Sequence, residues 1–142
     1  MNSNKSLLAG IAGGVVLFLL GYLIYGMLLA DFMKTHAGTA TGVARNPSEY
    51  MLWLIGVANL IYGFMLVYIF GKAGISTAGS GFATGAIVGL LTSASTDCIN
   101  YATTNLLTGS GMAADIVSFA VLSGVAGAVI GWVKGTGKKA AA

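Results

Sequence analysis

Ser6-Leu-Leu-Ala-Gly-Ile-Ala-Gly-Gly-Val-Val-Leu-Phe-Leu-Leu-Gly-Tyr-Leu-Ile-Tyr-Gly-Met-Leu-Leu-Ala30 contains no charged side chain from end to end. An α-helix needs about 20 apolar residues to cross the hydrocarbon of a bilayer, and this stretch exceeds that. Lys5 gives it a basic flank. The apolar region of a secretory signal peptide is only about 7–15 residues long, so a retained membrane span is expected. Three more apolar runs follow. Ser48 to Phe70 has Glu49 at its edge, Gly79 to Leu107 carries Asp97, Asn100 and Asn105, and Ala113 to Val133 has Asp115 near its start. None alternates polar and apolar residues as the strands of a membrane barrel do. A helix is the single segment that satisfies its own backbone in lipid. The expected fold is all-α: one membrane domain over 1–142, with four transmembrane helices running up and down over about 6–30, 48–70, 79–107 and 113–133.

The composition agrees. Of 142 residues, 56% are hydrophobic and 8% charged, against roughly 25% charged in a soluble domain, and the mean hydropathy is +0.86. Disorder needs the opposite balance. Seven scattered cations make no phosphate-tracking groove, so nucleic-acid binding is excluded. With four spans, Lys5, Lys72, Lys134, Lys138 and Lys139 fall on one side, while Lys34, Arg45, Asp31, Glu49 and Asp115 fall on or near the other. The side rich in cations is expected to be cytoplasmic, which places both termini inside and the loop from Asp31 to Pro47 outside.

The 22 glycines accompany a single proline. Small residues let membrane helices approach closely. Gly81, Gly85, Gly89, Ser93 and Asp97 recur every four residues, on one helical face. Gly10 with Gly14, Ala120-Gly124-Ala128 and Gly127-Gly131-Gly135 form similar rows. These rows are expected at Gly-rich helix interfaces, within one bundle or between the protomers of a homo-oligomer. Cys98, the single cysteine, has no disulfide partner in the chain and reads as a buried, inert thiol. Tyr50, Trp53 and Trp132 sit near span ends, where amphipathic rings anchor at the headgroups. Tyr22, Tyr25 and Tyr62 lie deeper, and buried phenols want partners.

The third run carries the candidate site. Ser93, Asp97, Asn100 and Thr104 share a face, with Thr96 and Thr103 beside it. At about 1.5 Å per residue, Asp97 stands roughly 27 Å from Gly79, in the outer half of the membrane. A lone carboxylate there costs several kcal/mol unless it is paired, hydrated or protonated, so it should face the bundle interior. Tyr25, Asn59, Tyr62 and Asp115 lie at a matching depth on the other helices, and Arg45 or His36 of the first loop could fold inward. The candidate ligand or ion pocket is therefore Asp97, Asn100, Thr96, Thr103, Tyr25, Asn59, Tyr62 and Asp115.

Nothing points to catalysis. One His and one Cys cannot build the familiar zinc or haem sites. The Gly-x-Ser-x-Gly pattern of a nucleophile elbow is absent, Gly109-Ser-Gly reading as a turn, and Gly79-Ser-Gly with the glycines after it lacks the lysine of a phosphate-binding loop. No catalytic residue, cofactor or metal is expected.

Thr96-Asp-Cys-Ile-Asn-Tyr-Ala-Thr103 resembles a motif in a domain-of-unknown-function family of small bacterial four-helix integral membrane proteins. That motif reads Tyr-Asp-Leu-Thr-Asn-x-Ala-Thr, after a Gly-rich run and before an Asp that opens the last helix. Asp97, Asn100, Ala102 and Thr103 match position by position, Gly85 and Gly89 suit the run, and Asp115 suits the later acid. Thr96, Cys98 and Ile99 depart from it. The resemblance covers the second half of the chain and implies architecture rather than activity. Two functions are weighed, the first favoured and the second its alternative. One is a structural, assembly or accessory subunit that associates with itself or joins a larger membrane complex. The other is a small cation- or proton-coupled transporter or channel that uses Asp97. Membrane lipids are partners in either case.

Overall fold

The computed structural model describes residues 3–136; Lys138 and Lys139, used above for orientation, lie outside the described residues. The chain forms an all-α bundle. Helix α1 (Ser3–Leu23) passes into a π-helical segment, Ile24–Leu28, and then a short helix, α2 (Ala30–Thr35). A 3-10 turn, Pro47–Glu49, precedes α3 (Leu52–Lys72), followed by α4 (Ala78–Thr103) and α5 (Gly109–Gly135). Four stretches are long and apolar enough to cross a membrane: Ser3–Leu28, Leu52–Lys72, Ala78–Thr103 and Gly109–Gly135.

The helix ends follow local chemistry and differ from the apolar runs for that reason. Thr77 and Thr108 cap α4 and α5 by accepting hydrogen bonds from the amides of Ser80 and Gly111, both at 3.2 Å. The last span therefore opens at Gly109, before its apolar run begins. Asn46 and Glu49 form a capping box around the separate 3-10 turn, so α3 starts at Leu52 rather than Ser48. After α3, Gly74 adopts a positive φ of 71°, which glycine takes without a Cβ clash. The Ile75 amide then reaches back to the Phe70 carbonyl at 2.9 Å, the hydrogen bond that closes a helix end. Helix α4 stops at Thr103 rather than Leu107, because the following backbone pairs with the first loop. Gly38 donates to Leu106 at 2.9 Å, Ala40 to Asn105 at 3.0 Å and Thr108 to His36 at 3.2 Å. A Cβ on Gly38 would strike the Asn105 carbonyl, so this junction needs glycine.

The packed pairs are α1 with α3, α1 with α5, and α4 with α5, each antiparallel. Helices α3 and α4, though consecutive, form no packed pair. Helix α5 instead lies between α1 and α4. The Lys5 ammonium donates to the Thr136 carbonyl just past α5, where a cation meets the negative end of the helix dipole. The core near this end joins Ala9 of α1, Leu66 and Phe70 of α3, and Ile130 of α5, all fully buried. Leu17, Leu122 and Ala126 continue it along the α1–α5 contact.

Glycine sets the spacing of the α4–α5 seam. A Cβ on Gly81 would collide with the Gly127 carbonyl, and one on Gly85 with the Ser123 carbonyl. A Cβ on Gly127 would strike the Gly81 carbonyl in return. Between α1 and α3, a Cβ on Gly63 would lie 2.8 Å from the Gly10 carbonyl oxygen. Most large apolar side chains outside these seams are exposed, among them Leu8, Leu19, Trp53, Ile61, Leu91 and Trp132. That apolar coat suits acyl chains and would be unusual in water.

One buried polar contact ties three helices together. Ser123 of α5 donates to the Gly85 carbonyl of α4 at 2.7 Å, and the Tyr62 hydroxyl of α3 meets the Ser123 oxygen at 3.0 Å. Interhelical bonds in membranes average about 0.6 kcal/mol. Ser123→Ala removes both and should destabilise the bundle by about 1 kcal/mol in a detergent unfolding titration. Tyr62→Phe should cost less. The double variant should cost less than the two single changes added together, because they share one bond.

Candidate functional site

The four-residue row on α4 is buried along its whole length: Gly81, Gly85, Gly89, Ser93 and Asp97. At its outer end the glycines give way to side chains that can do chemistry. Asp97 is 6% exposed and Ser93 7%. One turn apart on a helix, they face the same way, and the Ser93 hydroxyl lies 2.9 Å from Asp97 Oδ2. The same hydroxyl lies 3.2 Å from Asp115 Oδ2, in the second turn of α5. The two carboxyl groups therefore have one hydroxyl as a common neighbour. Tyr25 completes the group from the π-helical segment of the first span: its hydroxyl donates to the Asp115 backbone carbonyl at 3.3 Å. The Leu29 amide bonds to Ile24, and this wider turn is the backbone irregularity often found at functional sites.

Asp97 and Asp115 therefore meet through Ser93, and Tyr25 joins them at the Asp115 backbone carbonyl. The other sequence candidates lie apart from them. The Asn59 amide donates to the Ile55 carbonyl of its own helix at 2.8 Å. Tyr62 is held by Ser123 and by an edge-on contact with Phe119, with ring centroids 5.1 Å apart. Thr96 and Thr103 are exposed, and their hydroxyls bond back to Thr92 and Ile99. Asn100 is half-buried one turn beyond Asp97. Arg45 lies beside α3, and His36 stacks on Phe32 with ring centroids 4.0 Å apart.

Two further readings change. Cys98, expected to be buried, is exposed; it follows Asp97 directly and so points about 100° away from the buried row. Tyr22, expected to lie deep, is 64% exposed, and Tyr25 is the phenol that turns inward. Sequence reasoning missed Ser123. It continues the four-residue row Gly127-Gly131-Gly135 backwards by one turn, and that period was the signal that could have found it.

No family model, curated protein or solved structure matches this chain. The chemistry must be read from the side chains themselves. Among the described residues, no group of three or more His, Cys, Asp and Glu gathers as a metal site would require. Two carboxyls, one hydroxyl and one phenol provide oxygen ligands and exchangeable protons. Lysine is placed elsewhere: Lys5 on Thr136, Lys134 on the Val67 carbonyl, and Lys72 over the Tyr68 ring.

Proposed function

We propose that this integral membrane protein binds and releases a proton or a small monovalent cation at Asp97, Ser93 and Asp115, as a small ion-coupled transporter or channel. One observation carries the reading: a single serine hydroxyl within 2.9 and 3.2 Å of two carboxyl oxygens. A hydroxyl has one proton to donate. It satisfies one carboxylate, and the second contact then needs a positive charge between the acids, either a shared proton or a small cation. Acids inside membrane spans are rare and mark ion and proton pathways. Asp115 is only half-buried and stands in the second turn of α5, near the His36–Thr108 junction. The route to water is therefore short on that side. The distribution of cations supports that side as external and both termini as cytoplasmic, and the family resemblance supports a bacterial inner membrane. The chain is not an enzyme in this reading, and the resemblance of its motif around Asp97 to a domain-of-unknown-function family of small four-helix membrane proteins supports the architecture alone.

A second reading has its own support. Helix α4 packs chiefly on α5 and leaves Phe82, Ile87, Leu91 and Ile99 exposed. A structural or accessory subunit would cover this face with a second copy or a larger complex. Purified protein in liposomes with an internal pH-sensitive dye separates the two. Ion coupling predicts proton or cation uptake that Asp97→Asn abolishes in a folded protein. An assembly role predicts no uptake in either form.

A further inference from the structure

The segment Val43-Ala44-Arg45 lies across the first turns of α3 and leaves an open groove of about 500 Å³. That volume falls within the roughly 300–1,000 Å³ of small-molecule sites. The floor is Met51, Leu54, Ile55 and Ala58, positions three and four apart that share one helix face. They extend roughly 10 Å along the axis, at about 1.5 Å per residue. Arg45 is the charged residue of the lining and Tyr50 stands at the same end. Trp53, 69% exposed, sits one turn into α3, where an amphipathic ring marks headgroup depth. Glu49, the acid next to Tyr50 in the chain, accepts the Asn46 backbone amide at 3.2 Å.

The groove thus has a guanidinium at headgroup level and an apolar channel leading from it into the span. We propose that it binds an anionic phospholipid, with the phosphate on Arg45 and one acyl chain laid along Met51, Leu54, Ile55 and Ala58. Guanidinium pairs with phosphate through two parallel N–H donors. A free phosphate ion would have no use for the apolar floor. A zwitterionic lipid would fill the floor and gain less at Arg45. This site is separate from the acid pair and does not depend on it.

The test uses the full chain in detergent micelles doped with phosphatidylglycerol or phosphatidylcholine of identical acyl chains, and counts retained lipid by native mass spectrometry. The wild type should prefer phosphatidylglycerol by about fivefold, the effect of one cation near an anionic headgroup. Arg45→Gln should reduce that preference to near unity, while Lys34→Gln, a cation of the same side outside the groove, should leave it unchanged. Ala58→Phe, which fills the floor, should lower retention of both lipids. Arg45 and Ala58 are exposed, so both variants should fold, as size exclusion and helical circular dichroism will register. Three outcomes would overturn the proposal: equal retention of both lipids by the wild type, an equal loss of preference in the Lys34 variant, or displacement of the lipid by inorganic phosphate.

Discussion

Asp97→Asn should abolish ion uptake into liposomes and, in the same protein, raise its resistance to unfolding. The two effects have opposite signs for one physical reason. Asparagine keeps the shape of the side chain and can still accept the Ser93 hydrogen bond. It carries neither a charge nor an exchangeable acid proton, so uptake should fall at least tenfold and lose its dependence on pH. The native site places two carboxyl groups on one hydroxyl. Like charges that close oppose one another, and each has lost water. Removing one should stabilise the bundle by roughly 0.5–2 kcal/mol, the usual gain when a strained functional site is relaxed. Asp115→Asn should act in the same direction but more weakly on stability, because Asp115 is half-buried whereas Asp97 is buried. The check is paired: dye-reported uptake and a detergent unfolding midpoint on the same preparation. If Asp97→Asn lowers the midpoint and the wild type moves no ion, the carboxylate is interhelical glue and the proposed function is wrong.

Gly127→Ile should force α4 and α5 apart. A Cβ at Gly127 meets the Gly81 carbonyl oxygen and, at 3.0 Å, the Gly85 Cα. Both are backbone atoms, so no side-chain rotation can relieve the contact and the helices must separate. Overpacking a well-packed site costs about 1–3 kcal/mol and occasionally more. The upper end, about 3 kcal/mol, is expected here because the seam loses its close approach from Gly81 to Gly131. Gly21→Ile and Gly56→Ile are the controls. A Cβ at either position meets nothing within 4 Å, so these changes should be near neutral or slightly stabilising by helix propensity. The seam that Gly127 spaces also carries Ser93, Asp97 and Asp115, so Gly127→Ile should reduce ion uptake as well. Thermal melts in detergent, followed by helical circular dichroism, will rank the three variants.

The interior of α4 was legible because it obeys a simple period. Gly81, Gly85, Gly89, Ser93 and Asp97 repeat every four residues, and close helix contact in lipid selects such a row. The partners of Asp97 were much less legible. Tyr25, Asn59, Tyr62 and Asp115 all stand at suitable depth, and depth is what linear spacing supplies. Tyr62 is claimed by Ser123 and Asn59 by its own helix, while Asp115 and Tyr25 come to the site because α5 lies between α1 and α4. The π-helical turn that carries Tyr25 has no signature in a run of leucine, isoleucine and tyrosine.

What the sequence determined by itself is that the chain crosses lipid as helices and which faces of α1, α4 and α5 are small enough to touch another helix. Both follow from one-dimensional quantities: the length of an uncharged run against the thickness of hydrocarbon, and a repeat matched to the turn of a helix. Which helices become neighbours was decided only in three dimensions. Helix α4 turned away from α3, to which it is joined, and packed on α5, because Gly127 and Gly131 offer bare backbone where Gly81 and Gly85 arrive. That choice of neighbour brought the second carboxylate to the first.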